Sequence, residues 1–261
     1  MNKGEGSKEL NTALDAAGAA GEILSKGFKG GVRVDFKSDN SPVTEIDKAA
    51  EKAVLRIISE RFPDDGFIGE ETGEIPGMSG RTWVVDPLDG TRPYIRGIPT
   101  YSTLIAMLRQ GVPVIGVASF PSLKETYYAE EGKGAFCNGT GIHVSDIADK
   151  GASAGSMLGL LQRGKKPEIL RGFMEELDYM YGFMDAYSYM CVASGKLEVA
   201  VSLLDKSWDS AAPAAIVSEA GGEWGGLSGE RILSDGGFCM GNREMFRQIT
   251  AHYREGLAGT E

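Results

Sequence analysis

The chain has 261 residues, enough for one large domain or two small ones with an ample apolar core. Its 37 acidic residues against 27 basic ones give a net charge of −10, a field that opposes nucleic acid and anionic membrane surfaces, and no Lys/Arg cluster offsets it. Cys137, Cys191 and Cys239 are odd in number and far apart, which suits buried reduced thiols rather than a disulfide framework or a zinc site. With no 18-residue apolar span and no signal-like apolar segment, a soluble cytoplasmic protein is expected.

In chain order, residues 8–27 are Ala-rich, with Leu10, Leu14, Ala17, Ala20 and Leu24 at helical spacing, and Gly27, Gly30 and Gly31 are expected to stop that helix. Val32–Phe36 alternates like a strand and enters a polar loop around Lys37. A second helix is predicted from Thr44 to Arg61, with Thr44 as N-cap and Asp47 in the first turn, where an acid suits the helix dipole. Gly66-Phe67-Ile68-Gly69-Glu70-Glu71 reads as a short strand ending in adjacent acids. Strands are expected at 83–85, 102–108, 112–119 and 125–129, with a turn at Gly111-Val112-Pro113. The last third alternates: helices at 167–177, 187–194, 209–220 and 242–253, and an extended segment at 197–202. One domain is expected over 1–261, with an antiparallel-biased part up to about 145 joined to an α/β part over 146–261.

The densest signal is Trp83-Val84-Val85-Asp86-Pro87-Leu88-Asp89-Gly90-Thr91. An apolar strand delivers two carboxylates three residues apart, then a Gly-Thr turn that offers backbone N–H groups and a hydroxyl. Hard divalent cations such as magnesium take oxygen ligands of this kind and share them with substrate phosphate. Asp, Pro and Gly also favour plain surface turns, so the stretch alone leaves both readings open. Asp209, after Trp208, sits near a predicted helix start and would be equally at home as an N-cap. Only His143 and His252 are present and neither adjoins a motif, so neither is assigned a role.

Taken together, Gly69-Glu70-Glu71, the Asp86–Thr91 run, Trp208-Asp209 with Glu219-Ala220-Gly221-Gly222, Pro42–Asp47 and Gly132–Gly139 resemble the signature segments of the inositol monophosphatase family. They run in the family's order from about residue 10 to 254. The resemblance implies a layered α-β-α-β-α sandwich of the inositol monophosphatase and fructose-1,6-bisphosphatase type, and Mg²⁺-dependent hydrolysis of a small phosphate monoester. It implies two or three Mg²⁺ ions, with Glu70, Asp86 and the Leu88 carbonyl at one and Asp86, Asp89 and Asp209 at a second. Glu70, Thr91 and Asp47 would orient and activate the attacking water, with Asp47 accepting from the Thr91 hydroxyl. Backbone N–H groups of Gly90 and Thr91 would hold the phosphate, and Asp209 would also touch substrate. The family's usual form is a homodimer. Lys37 is a candidate for neutralising phosphate charge, or a solvated lysine.

Inositol-specific members carry a Gly-Ser/Thr-Ala segment and a Glu seven residues before the Trp-Asp aspartate. Here the first reads Phe183-Met184-Asp185-Ala186 and the second is Ser202. Asp185–Tyr189 and Ile95–Ala106 are more similar to the histidinol-phosphate phosphatase branch. A carboxylate at 185 could pair with an ammonium group, or simply cap the helix that follows. Inositol 1-phosphate, a sugar phosphate such as fructose 1,6-bisphosphate, and a catalytically silent metal-binding regulator are the alternatives.

Overall fold

The computed structural model describes residues 6–30, 34–36, 42–159, 167–182, 185–233 and 237–259. Lys37, Val32, Arg33, Phe183 and Met184 lie outside the described residues.

Helix α1 (Lys8–Gly30) buries Leu10, Ala17, Ala20 and Leu24 along one stripe. It runs through Gly27 rather than stopping there. A Cβ at Gly27 would stand 2.5 Å from the Tyr94 hydroxyl, which donates to the Leu24 carbonyl, so this glycine makes room for a crossing side chain. Strands β1 (Val34–Phe36) and β2 (Pro42–Thr44) pair antiparallel and lead into α2 (Glu45–Arg61). Next come β3 (Gly66–Gly69), β4 (Gly73–Ile75), β5 (Arg81–Asp89), the short α3 (Thr91–Ile95), β6 (Ser102–Arg109), β7 (Val112–Phe120), β8 (Glu125–Glu130), β9 (Ala135–Cys137) and β10 (Thr140–Ile142). The turn between β6 and β7 is at Gln110 and Gly111, both with positive φ (51° and 81°), while Val112 and Pro113 already belong to β7. Two consecutive positive-φ residues match the twist of a tight hairpin, which explains the shift from the expected Gly111–Pro113 turn.

The second half is β11 (Ala154–Leu158), α4 (Pro167–Met174), β12 (Tyr179–Tyr181), α5 (Ala186–Ala193), β13 (Val199–Ser202), α6 (Ser207–Glu219), β14 (Glu223–Gly226), β15 (Phe238–Gly241) and α7 (Arg243–Ala258). The first sheet has the order β10-β9-β8-β7-β6-β5-β3-β4, antiparallel except for the parallel β3–β5 pair. The second has the order β12-β11-β13-β15-β14, with β12, β11 and β13 parallel and the other pairs antiparallel.

Side-chain alternation along the strands sets the layers. Trp83 and Val85 of β5 pack with α1 and α2, whereas Val84 between them packs with residues of α5 and α6. Ala200, Phe238 and Met240 of the second sheet join that same α5–α6 layer, while Val199, Val201 and Cys239 turn to α4 and α7. The result is the α-β-α-β-α sandwich expected above. Among the described residues no helix is long and apolar enough to cross a membrane.

Candidate metal and phosphate site

Asp86 and Asp89 are three residues apart, so in a regular strand their side chains would point to opposite faces. Strand β5 avoids this. Asp86 pairs with Leu104 and Asp89 with Ser102 of β6, so three steps on one strand match two on the other. That bulge rotates the strand end and brings both carboxylates to one side. It is pinned by the Thr103 hydroxyl donating to the Pro87 carbonyl and the Leu88 N–H donating to Asp86 Oδ1, at 3.0 and 2.9 Å. Gly90 then takes a left-handed conformation (φ 76°, ψ 39°), which a glycine adopts without steric cost, and turns the chain into α3.

Asp209 arrives from the other half. It is the third residue of α6, not its N-cap, and its Oδ2 accepts the Lys206 N–H at 2.7 Å in a capping-box arrangement. One carboxylate oxygen from each of Asp86, Asp89 and Asp209 lies within 4.8 Å of the others. Asp86 and Asp89 are buried and Asp209 is half-buried. Glu70, just past β3, has its N–H on the Val85 carbonyl at 3.2 Å, and its charge acts on both Asp86 and Asp209.

Burial pushes the Asp86 carboxyl well above the usual range, and the charges of Glu70, Asp209 and Asp89 push it further. Asp89 is raised by burial and by Asp185 and Asp209, against hydrogen bonds to its Oδ2 from the Ala186 N–H (3.1 Å) and the Ser102 hydroxyl (3.0 Å). Asp209 is raised by burial and by Asp205, against the Lys206 N–H. In each case burial and neighbouring acids disfavour the ionised form, so a countercharge beside these carboxylates would favour it. A hard divalent cation supplies one, and oxygen donors alone make up the cluster, so the residues present fit magnesium.

The Thr91 hydroxyl, expected to donate to Asp47, donates to the Leu88 carbonyl at 3.0 Å. Asp47 is buried in the first turn of α2, near enough to Tyr94 of α3 for its charge to help raise that phenol. Asp185 holds the N-cap position of α5, yet its side chain makes no cap hydrogen bond, and its backbone is strained at φ 44°. Its Oδ2 instead lies 3.4 Å from where a Cβ on Gly90 would stand, so the carboxylate overhangs the Gly-Thr turn. Burial and the Asp205 charge push it up to about 6.

Asp205 was not singled out from the sequence. It is buried, its Oδ2 accepts the Tyr189 hydroxyl at 2.6 Å, and burial raises it against the bonds from Ser202 and Tyr189. The only hint was its place four residues before Asp209. Ser202 is buried in β13, where its Oγ accepts the Leu204 N–H at 3.1 Å. His252 bonds the Ile169 carbonyl at 3.0 Å, in the α4–α7 layer.

Known proteins share this architecture and sequence. Histidinol-phosphatase of Chlorobaculum parvum is 40% identical over 247 residues, covering 93% of this chain and 95% of that one. Histidinol-phosphatase of Mycobacterium tuberculosis is 35% identical over 230 residues, covering 85% and 88%. The structure of the extragenic suppressor protein SuhB of Bartonella henselae superposes with a TM-score of 0.89 at 30% identity, covering 96% of this chain and all of that one. The profile of the inositol monophosphatase family, whose members are Mg²⁺-dependent, matches residues 6–258. With the strand-end aspartates, the Gly-Thr turn and the α6 aspartate gathered at one place, and relatives of this similarity on both sides, the chain belongs to the inositol monophosphatase family and is a phosphate monoester hydrolase.

Proposed function

We propose that this phosphatase acts on histidinol phosphate, with Glu70, Asp86, Asp89, Asp209 and the Leu88 carbonyl holding two or more Mg²⁺ ions. The observation that carries the substrate reading is the Asp185 carboxylate, which overhangs the Gly90 turn and is not spent on capping α5. A phosphate held by the N–H groups of Gly90 and Thr91 would place the rest of a small ester beside that carboxylate, where an ammonium group gains a charge-assisted bond and a polyol gains only neutral ones. The two relatives named histidinol-phosphatase support the same reading.

When bound, magnesium supplies the positive charge that favours ionisation of the attacking water and offsets charge on the leaving oxygen. The chain's own groups do the orienting. With its proton directed at the Leu88 carbonyl, the Thr91 oxygen is left as an acceptor for one water proton, and Glu70 is the carboxylate that takes the other. Asp47, buried in the first turn of α2 near Tyr94 of α3, is the third group given a part in orienting the water. Asp209 would touch the ester from the α6 side. Little covalent work is asked of the protein, in keeping with a site of carboxylates, one hydroxyl and backbone N–H groups.

The test is Asp185→Ala assayed on three esters. Loss of a hydrogen bond to a charged group should lower kcat/KM for histidinol phosphate about 10- to 100-fold. Inositol 1-phosphate and fructose 1,6-bisphosphate should change little. Equal losses on all three would contradict the reading. A homodimer, a cytoplasmic location, and a single domain whose two parts meet near residues 145–146 belong to the same proposal. Sedimentation, fractionation and limited proteolysis test them in turn.

A further inference from the structure

Helix α2 carries two buried acids on one face. Asp47 is one; Glu51, four residues and one helical turn later, is the other, and each is 1% exposed. Glu51 lies beside the turn that follows β3. Its Oε2 accepts the Glu71 N–H at 2.9 Å and its Oε1 accepts the Thr72 N–H at 2.6 Å. The same carboxylate fills the space beside Gly69, where a Cβ would stand 2.6 Å from Oε2. One side chain thus holds residues 71 and 72 and packs against residue 69, and Glu70 lies between them. From the opposite side the Glu70 N–H is fixed to the Val85 carbonyl, one residue before Asp86.

A carboxylate presents two acceptor oxygens in one plane, which suits two adjacent N–H groups; an amide presents one acceptor and turns N–H donors toward the second N–H. The contact therefore demands Glu at 51 and Gly at 69 together. We propose that Glu51 is a positioning residue: by clamping the N–H groups of Glu71 and Thr72 it sets the Glu70 carboxylate against Asp86 for the cation they share. Glu51 touches neither cation nor ester and acts through Glu70. Because Asp47 rides on the same helix, α2 sets two of the water-orienting groups at once. The inference rests on the reading of Glu70 as a metal ligand given above.

The test compares Glu51→Gln, Gly69→Ala and Asp86→Asn with the unaltered protein, by calorimetric titration with Mg²⁺ and by phosphate release as a function of Mg²⁺ concentration. Loss of an outer partner of a ligand typically costs about 10- to 100-fold in metal affinity. Glu51→Gln should therefore raise the Mg²⁺ dissociation constant and the half-saturating Mg²⁺ concentration by about tenfold or more. Most of kcat should return at saturating Mg²⁺. Gly69→Ala keeps the charge but displaces the carboxylate, so it should produce the same shift, and the double variant should fall short of the two combined. If Glu51→Gln does not fold, Gly69→Ala carries the test alone. Wild-type Mg²⁺ affinity with only a lowered melting temperature would make Glu51 a scaffold contact and overturn the proposal. If the unaltered protein binds no Mg²⁺, or Asp86→Asn binds it equally well, the functional reading itself fails.

Discussion

Asp86 is buried against Glu70, Asp89 and Asp209, all of its own sign, and each raises its pKa. Replacing it with Asn removes a carboxylate of the proposed metal site and a repulsion together. Turnover of Asp86→Asn should fall about a thousandfold, because metal stabilisation of transition-state charge is worth several kcal/mol. The fold should survive, with a melting temperature in EDTA equal to or above the wild type. Retained activity above about a tenth would contradict its role. Thr91→Ala should lower kcat by about 10²- to 10⁴-fold while leaving Mg²⁺ affinity close to normal. The reverse pattern would reduce Thr91 to a support for the Leu88 carbonyl. The clustered acids at 86, 89 and 209 were legible because each stands at the end of a strand or the start of a helix in an ordered set of motifs. Glu51 and Asp205 were not, because burial of an acid depends on what packs over it. Glu51 is an ordinary helix residue until β3 is laid beside α2.

At the scale of elements, the β5 bulge and the close approach of α6 to the first sheet bring the two halves of the site together. Gly116 of β7 faces α6 so tightly that a Cβ would stand 2.3 Å from the Ala212 carbonyl. That neighbour is backbone and cannot swing aside. Gly116→Ala should destabilise the protein by about 1–3 kcal/mol, the range for an overfilled contact, measurable by denaturant unfolding. An unchanged midpoint would mean that α6 slides freely on the sheet. Helices α1 and α2 were readable from periodicity because each turns one face to a core, and strands β5 to β8 as apolar runs because both their faces are covered by helices. Strands β11, β12, β14 and β15 are three to five residues long. Two of them begin or end in glycine, so they become strands only through pairing partners elsewhere in the chain. The extra length of α1 past Gly27 was hidden for a similar reason: the Tyr94 side chain that occupies the glycine's space lies 67 residues later.

For the whole molecule, the site is a store of like charge in a chain already at −10. Asp86, Asp89, Asp185 and Asp209 all titrate higher when folded than the unfolded value of about 4. Between the unfolded and folded values the native state holds more protons, so these groups make stability fall as pH rises. For Asp185 that window runs from about 4 to about 6, and the other three act in the same direction. Bound cation opposes the loss by favouring the charged forms. The rise in melting temperature on adding Mg²⁺ should therefore grow as pH rises from about 4 to about 6, and saturation at about 100 times the dissociation constant adds about 2.7 kcal/mol. A gap that stays constant with pH would separate the acids from the metal.

The most direct measurement is phosphate release from histidinol phosphate, inositol 1-phosphate and fructose 1,6-bisphosphate, side by side, in Mg²⁺ and in EDTA. The expected result is release only with Mg²⁺, and kcat/KM for histidinol phosphate higher than for either alternative by about tenfold or more, the worth of a charged contact at Asp185. A preference for inositol 1-phosphate would contradict the role given to Asp185, and Mg²⁺ binding without turnover of any of the three would contradict the chemistry itself.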